Sequence, residues 1–248
     1  VLVGPEVPAA IDGIVVPTIR VDSSSSVDKS VAPVGAGDRL APVRADHAVY
    51  TIFTSGSTGR PKGVTVTHGA LSNTLRWFTE SNGPGEHTFL LKTPYTFDAS
   101  VWEYFGPIFS AATTVIAEPG GHRDPVYLAR LIDQHRVTTV KFVPSMLAAF
   151  LDGAVGATGS TLRSLKRIFS GGEALSPSLA DELLRSLPEA RLYNQYGPTE
   201  AVVDITYGEV RESSPNIPIG TPVPNTTVYV LDERLRPVPA VSYTHLTL

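Results

Sequence analysis

A short loop of serine, threonine and glycine follows a β-rich stretch near residue 50. It reads TSGSTGRPKG from Thr54 to Gly63 and comes directly after Tyr50, Ile52 and Phe53. Glycines let backbone amides approach an anion closely, hydroxyls can donate to phosphate oxygens, and Lys62 adds a positive charge. We interpret the loop as a polyphosphate cradle. The alternative is a solvated connection in which Lys62 is an ordinary surface lysine.

This loop does not match the Walker pattern of nucleotide triphosphatases. That pattern needs Gly-Lys followed by Ser or Thr, whereas here Pro61 precedes Lys62 and Gly63 follows it. Phosphate binding by this loop would therefore belong to another class of enzyme.

Two further polar segments occur later in the chain, FDASVWE at 97–103 and NQYGPTE at 194–200. Asp98 lies where a strand-like segment meets a helix, so its plainest role is an N-cap, which Ser100 could also fill. Gly197-Pro198 forces a turn at a strand end, where open α/β sheets usually bind ligands. Thr199 and Glu200 after that turn could equally begin a helix.

The three segments together resemble the adenylate-forming (AMP-binding) superfamily, whose members activate carboxylates with ATP. TSGSTGRPKG is similar to the superfamily's phosphate-binding motif almost position for position, and FDASVWE and NQYGPTE follow in the expected order. Within the superfamily, this pair of motifs resembles the amino-acid-activating adenylation domain of non-ribosomal peptide synthetases. The resemblance extends from about Val49 to Ala240.

The resemblance implies a set of nucleotide contacts. Asn194 would face the adenine edge, Tyr196 would stack on the ring, and Gly171 and Gly172 would form the purine wall, although Tyr196 could instead pack in the core. The remaining ATP contacts would be Thr54, Ser55, Gly56, Ser57, Thr58, Gly59 and Gly197. The catalytic contacts would be Lys62, Thr199 at the α-phosphate and Glu200, which would coordinate Mg²⁺.

The resemblance also implies an amino-acid pocket. In amino-acid-activating members, the aspartate that matches Asp98 pairs with the substrate's α-ammonium, a charge-assisted contact. Relatives that activate aryl or hydroxy acids generally lack this aspartate. The full set of pocket positions is Asp98, Ala99, Trp102, Lys141, Phe169, Gly171, Gln195, Val203 and Asp204.

Lys141 is the unusual member of that pocket. It lies in the expected strand Thr138 to Phe142, where alternation leaves it facing either the solvent or the pocket. An inward ammonium would need an anionic partner, either a substrate carboxylate or Asp204. We therefore predict glutamate as the substrate, and glutamine next because Gln195 and Asp204 can hydrogen-bond an amide.

Short β-rich runs alternate with helical patterns from Tyr50 onward, which predicts an α/β fold with largely parallel sheets flanked by helices. We expect this to be a partial N-terminal core of the adenylate-forming fold, without its C-terminal subdomain. The predicted strands are Phe89–Lys92, Thr113–Ala117, Thr138–Phe142, Leu165–Phe169 and Arg191–Asn194.

Three helix faces are predicted from apolar spacing. The first face contains Leu71, Leu75 and Phe78. The third face belongs to a helix that begins at Ser176 and Pro177 and turns its leucines inward. The second face is expected at Val101, Tyr104, Phe105 and Ile108. The patch Gly153 to Ser160 is expected to be a surface loop.

Composition excludes several classes of protein. The 248 residues carry a formal charge of −4, which does not suit a nucleic-acid backbone, and no apolar run approaches the roughly 20 residues of a membrane span. The chain has no cysteine, so disulfides and thiolate metal sites are excluded. We expect a cytoplasmic protein without a secretory signal.

The domain prediction has three parts. Residues 1–46 are expected to be a loop-rich N-terminal segment and residues 47–240 an incomplete AMP-binding core. Residues 241–248, VSYTHLTL, break from the family pattern and are expected to be a non-native tail, with a divergent strand as the alternative.

The resemblance predicts ATP-dependent formation of an aminoacyl adenylate with release of pyrophosphate. The expected partners are a peptidyl carrier protein, whose phosphopantetheine thiol receives the amino acid, and condensation domains. Two alternatives remain at this point: an acyl- or aryl-acid ligase of the same superfamily, and an inactive nucleotide-binding fragment. The 248-residue piece itself is expected to be feeble or inactive.

Overall fold

The structure is a computed structural model that describes residues 2–3, 19–20, 35–39, 41–55, 59–82, 87–155, 162–212 and 214–238. The chain divides into two compact units, Val1–Val43 and Arg44–Leu248. In the first unit, β1 (Leu2–Val3) pairs in parallel with β2 (Ile19–Arg20), and Ala36–Asp38 form a 3₁₀ turn. The predicted tail at 241–248 lies outside the described residues.

The second unit begins with an antiparallel hairpin of β3 (Ala48–Thr54) and β4 (Lys62–Thr67). Its main sheet has seven strands, in the spatial order β6-β5-β7-β8-β9-β10-β11. The strands are β5 (Thr88–Leu91), β6 (Thr113–Ile116), β7 (Thr139–Phe142), β8 (Arg167–Gly171), β9 (Arg191–Tyr196), β10 (Thr206–Val210) and β11 (Thr221–Pro222).

The first five strands of that order are parallel, and β10 and β11 continue the sheet antiparallel. The prediction of an α/β fold with a largely parallel sheet is therefore confirmed, and each predicted strand overlaps an observed one. The antiparallel strands β10 and β11 were not predicted.

Five helices flank the strands of the second unit within the described residues. They are α1 (His68–Asn82), α2 (Ser100–Phe109), α3 (Pro125–His135), α4 (Pro144–Phe150) and α5 (Pro177–Ser186). Three of them begin with proline at the first helical position, where a missing N–H costs no hydrogen bond. The Ser176 hydroxyl caps α5 as predicted, accepting from the N–H of Leu179 at 3.3 Å.

Alternating residues of the strands enter two separate apolar cores, as expected for a sheet covered on both faces. Leu90 and Ile168 belong to the core formed with α3, α4 and α5. Phe89 and Phe169 belong to the other core, an aromatic cluster formed with α1 and α2. Leu71, Leu75 and Phe78 of α1 are buried in this second core, as predicted.

The predicted face of α2 is wrong by part of a turn. Tyr104 and Ile108 are 39% and 76% exposed, whereas Trp102 and Glu103 are buried with Val101. The inward face follows Trp102 because its indole packs on Phe78, with ring centroids 4.9 Å apart. A buried Glu103 cannot be anticipated from apolar spacing.

The patch Gly153 to Ser160 is also different from its prediction where the structure describes it. Leu151–Val155 form a π-helical turn that continues α4, and Leu151 and Ala154 are buried in the core. Residues 156–160 lie outside the described ranges.

Candidate functional site

A cavity of about 440 Å³ opens at the carboxyl ends of the parallel strands, where open α/β sheets bind their ligands. Its wall includes the residues that follow β5, β7, β8 and β9. Six predicted pocket residues line it, with the turn residue Gly197 and the glycine after β8. They are Asp98, Ala99, Lys141, Gly171, Val203 and Asp204, together with Gly172.

Asp98 and Thr199 meet at this cavity although they lie in different motifs. The Thr199 hydroxyl donates to Oδ2 of Asp98 at 2.6 Å. The N-cap residue of α2 is Ala99, which makes no side-chain cap, and the Ser100 hydroxyl donates to the carbonyl of Phe97. Asp98 therefore does not cap the helix, and its carboxylate is directed to the site.

Lys141 faces the cavity and not the solvent. Its Nζ lies 2.6 Å from Oδ2 of Asp204, and the two side chains are only 4% and 5% exposed. Burial raises the pKa of Asp204, while the neighbouring ammonium opposes that rise. Lys141 Nζ also lies 5.7 Å from the ring centroid of Trp102, within range of a cation–π contact.

A second buried ion pair, absent from the sequence prediction, has its lysine, Lys92, in the cavity wall. Lys92 Nζ is 3.4 Å from Oε1 of Glu103, with side-chain exposures of 2% and 0%. Burial lowers the pKa of Lys92, and Glu103 opposes this shift. The available signal was a charged residue after the apolar run of β5 and another inside the apolar pattern of α2.

The purine wall is predicted at the end of β8, where the structure requires two glycines for reasons of packing and backbone conformation. A Cβ on Gly171 would lie 2.8 Å from the carbonyl oxygen of Gln195, so only glycine lets β8 approach β9 so closely. Gly172 has φ +88°, in the left-handed region that glycine tolerates. Tyr196, 40% exposed, ends β9 beside this wall and has its ring available for stacking.

Four predicted residues are buried in the fold and do not line the cavity. Trp102 and Phe169 lie behind it in the aromatic core, with ring centroids 5.6 Å apart. Gln195 is 3% exposed and pairs with Gly171 across the strands. Asn194 is also buried, and its amide donates to the carbonyl of Pro218 at 2.9 Å.

The polyphosphate loop is the turn of the β3–β4 hairpin. Thr54 and Lys62 are partners across the two strands, and Lys62 is exposed, as is Ser55. Gly59 has φ +78°. Gly56, Ser57 and Thr58 lie outside the described residues.

Glu200 is the one carboxylate in the predicted metal position. It is exposed on the 3₁₀ turn Thr199–Ala201. A single carboxylate fits Mg²⁺, which keeps several waters and takes its other ligands from phosphates. The described part of the chain contains no cluster of three His, Asp or Glu side chains that could hold a metal by themselves. Among the same residues, no helix is long and apolar enough to cross a bilayer.

The hydroxyl of Tyr50 is buried near Asp98 and has no hydrogen-bond partner among the described residues. Burial and the nearby Asp98 carboxylate raise the pKa of Tyr50 to about 12.

The model of the AMP-binding enzyme family matches residues 6–242. The chain belongs to the AMP-binding enzyme family. A similar member of this family is phosphinothricin tripeptide synthetase PhsB of Streptomyces viridochromogenes, which is 53% identical over 201 residues. That match covers 81% of this AMP-binding chain and 17% of PhsB, so the chain spans about a sixth of that relative's length.

Two solved structures show the same fold. One is the non-ribosomal peptide synthetase FmoA3 in its AMPPNP-bound form, 28% identical, with a TM-score of 0.78 over 88% of this AMP-binding chain and 23% of FmoA3. The other is holo-PA1221, a synthetase protein with adenylation and PCP domains bound to a vinylsulfonamide inhibitor. It is 26% identical, with a TM-score of 0.74 over 94% of this chain and 39% of PA1221.

Proposed function

We propose that residues 47–240 form the N-terminal core of an adenylation domain in a non-ribosomal peptide synthetase. The parent protein would use ATP to convert an amino acid to its aminoacyl adenylate. The observation that carries this proposal is the contact between Asp98 and Thr199 at 2.6 Å. This contact brings an anchor for an α-ammonium next to the hydroxyl assigned to the α-phosphate.

In the proposed reaction, a carboxylate oxygen of the amino acid attacks the α-phosphorus of ATP, and pyrophosphate leaves. Asp98 holds the α-ammonium, Thr199 orients the α-phosphate, and the purine is held by Tyr196, Gly171 and Gly172. Lys62 and the hairpin loop neutralise the β- and γ-phosphates. Mg²⁺ bound at Glu200 would supply further positive charge to the phosphates.

We propose glutamine or glutamate as the substrate. Lys141 and Asp204 form a closed, neutral pair at the cavity wall. A side-chain amide can accept from the ammonium and donate to the free oxygen of the carboxylate, whereas a side-chain carboxylate meets the negative charge of Asp204. The pair therefore supports glutamine ahead of glutamate, the reverse of the order inferred from sequence.

The acceptor of the activated amino acid would be the phosphopantetheine thiol of a peptidyl carrier protein, in an assembly line that also contains condensation domains. The carrier part of this proposal draws on holo-PA1221, which combines adenylation and PCP domains in one protein. A cytoplasmic location fits a reaction that consumes ATP.

The test is ATP–pyrophosphate exchange by the full-length parent protein with each of the twenty amino acids. Exchange led by glutamine or glutamate would support the whole proposal. Exchange led by another amino acid would retain the activity and reject the pocket assignment. Activity only with carboxylates that lack an amino group would move the protein to the acyl- or aryl-acid ligases and reject the role of Asp98.

A further inference from the structure

Glu103 receives four hydrogen bonds although it is completely buried. Its Oε2 accepts from the backbone N–H groups of Lys92 and Thr93, at 2.9 and 2.8 Å. Its Oε1 accepts from the Thr93 hydroxyl at 2.7 Å and from Lys92 Nζ at 3.4 Å. Every bond runs from the end of β5 to the first turn of α2, where the helix N-terminus also favours a negative charge.

The segment between those two anchor points carries Asp98. Within it, Tyr95 and Phe97 are 76% and 62% exposed, so side-chain packing does little to hold it. Its other ties include local turn bonds, from Phe97 N–H to the carbonyl of Pro94 and from Val101 N–H to that of Asp98, and the bond from the Thr199 hydroxyl to the Asp98 carboxylate at 2.6 Å. The Thr199 hydroxyl holds one oxygen of the Asp98 carboxylate, and the connection between β5 and α2 sets where the backbone of Asp98 lies.

We propose that Glu103, together with Thr93 and Lys92, is a positioning residue that sets the geometry of Asp98 for the substrate's α-ammonium. This inference rests on the proposed function, since it takes Asp98 as the ammonium anchor. Charge-assisted bonds to backbone N–H groups are short and directional, so they fix the start of the segment more strictly than apolar packing would. A small displacement of a substrate-binding group can lower activity strongly.

The proposal predicts a selective defect. Glu103→Gln keeps the size of the side chain and one oxygen for the two backbone donors, but it removes the charge and presents an amide to Lys92 and Thr93. Thr93→Val removes the hydroxyl, which donates to Glu103 Oε1 and accepts from Lys92 Nζ at 3.3 Å, and keeps both charges of the ion pair. Both variants should weaken recognition of the α-ammonium and leave in place the nucleotide contacts, which lie at the ends of β8 and β9, on the turn after β9 and on the hairpin.

The test uses ATP–pyrophosphate exchange by the full-length parent and its preferred amino acid. Glu103→Gln should raise the KM for the amino acid by about 10-fold and Thr93→Val by about 3-fold, with the KM for ATP unchanged. The inhibition constant of the corresponding des-amino carboxylic acid should not change, because this inhibitor has no ammonium for Asp98 to bind. Glu80→Gln, at an exposed position of α1, is the matched control.

The outcomes separate the two proposals. A wild-type parent without amino-acid-dependent exchange would overturn the proposed function and this inference with it. An active wild type with unchanged amino-acid KM in both variants would overturn the inference alone. Parallel losses for the amino acid, ATP and the des-amino acid, with a lower melting temperature, would show that Glu103 acts only in folding. Thr93→Val keeps the test decisive if Glu103→Gln does not fold.

Discussion

The ammonium of Lys141 and the carboxylate of Asp204 are 2.6 Å apart in a wall of the cavity, and both side chains are almost completely buried. Lys141 lies on β7, and Asp204 lies between β9 and β10. Each charge is therefore removed from water and depends on the other for compensation. A substrate side chain that enters the cavity meets this pair already formed.

Replacing only Lys141 should destabilise the protein more than replacing both Lys141 and Asp204. Lys141→Met leaves a buried carboxylate without its cation and should lower the free energy of unfolding by about 3–5 kcal/mol at neutral pH, whereas Lys141→Met/Asp204→Leu should cost much less. Urea unfolding of the single and double variants measures this difference. A double variant that is as unstable as the sum of its single variants would contradict the prediction.

The stability of Lys141→Met should also depend on pH. Burial raises the pKa of Asp204, and without Lys141 nothing opposes that rise. A group whose pKa is raised by folding stabilises the folded state below its unfolded pKa and loses that contribution as the pH rises. Lys141→Met should therefore recover stability relative to wild type as the pH falls from neutral towards acid. Glu189→Gln, which breaks the exposed pair with Lys166, is the control and should differ little from wild type at any pH, because an exposed ion pair contributes little to stability.

Substrate preference should follow Lys141. In the full-length parent, Lys141→Met should lower exchange with glutamine and glutamate relative to apolar amino acids of similar length, because the ammonium that donates to their side-chain oxygen is gone. The measurement is the ratio of kcat/KM values between glutamine and methionine. An unchanged ratio would reject the pocket assignment while leaving the adenylation activity untouched.

Asp98→Asn should reduce selection for the α-ammonium. The asparagine can still accept from Thr199, but a charged contact of about 1.5–3 kcal/mol is lost, so kcat/KM for the amino acid should fall about 10- to 150-fold. The KM for ATP should stay constant. Asp152→Asn, at an exposed site after α4, is the control. Equal losses in Asp98→Asn for the amino acid and its des-amino analogue would show that Asp98 does not bind the ammonium.

Tyr50 should ionise at unusually high pH. Its pKa is raised to about 12 by burial and by Asp98, whereas an exposed tyrosine titrates near 10. The protonated Tyr50 hydroxyl contributes to the stability of the folded state. This contribution is complete below pH 10 and is lost as the pH rises through about 12. In ultraviolet titration, Tyr50→Phe should remove this late step. Loss of a step near pH 10 in Tyr50→Phe would refute the assignment.

Glu200→Gln should change the magnesium requirement of the parent enzyme. Mg²⁺ prefers charged oxygen ligands, so the amide should raise the Mg²⁺ concentration needed for half-maximal exchange. Excess Mg²⁺ should restore part of the rate. Glu182→Gln on α5 is the matched control. A variant with a normal Mg²⁺ dependence and a low rate would assign Glu200 a role other than metal binding.

Local patterns in the sequence determined the strand and loop at 50–63 and the strands near residues 89, 113, 138, 165 and 191, because each depends on residues close together in the chain. The alternation of Phe89 and Leu90 already indicates a sheet covered on both faces. The start of α5 at Ser176 and Pro177 is likewise encoded by neighbouring residues.

Only the tertiary structure determined the contacts between these elements. All four residues of β7 are buried, so alternation could not assign a face to Lys141, and its partner is 63 residues away. Glu103 accepts from Thr93 only because α2 turns it towards β5. Apolar spacing predicted a different inward face for this helix. The packing of Trp102 set the observed face. Long-range contacts are absent from any local pattern, and here they determine where the charges of the site lie.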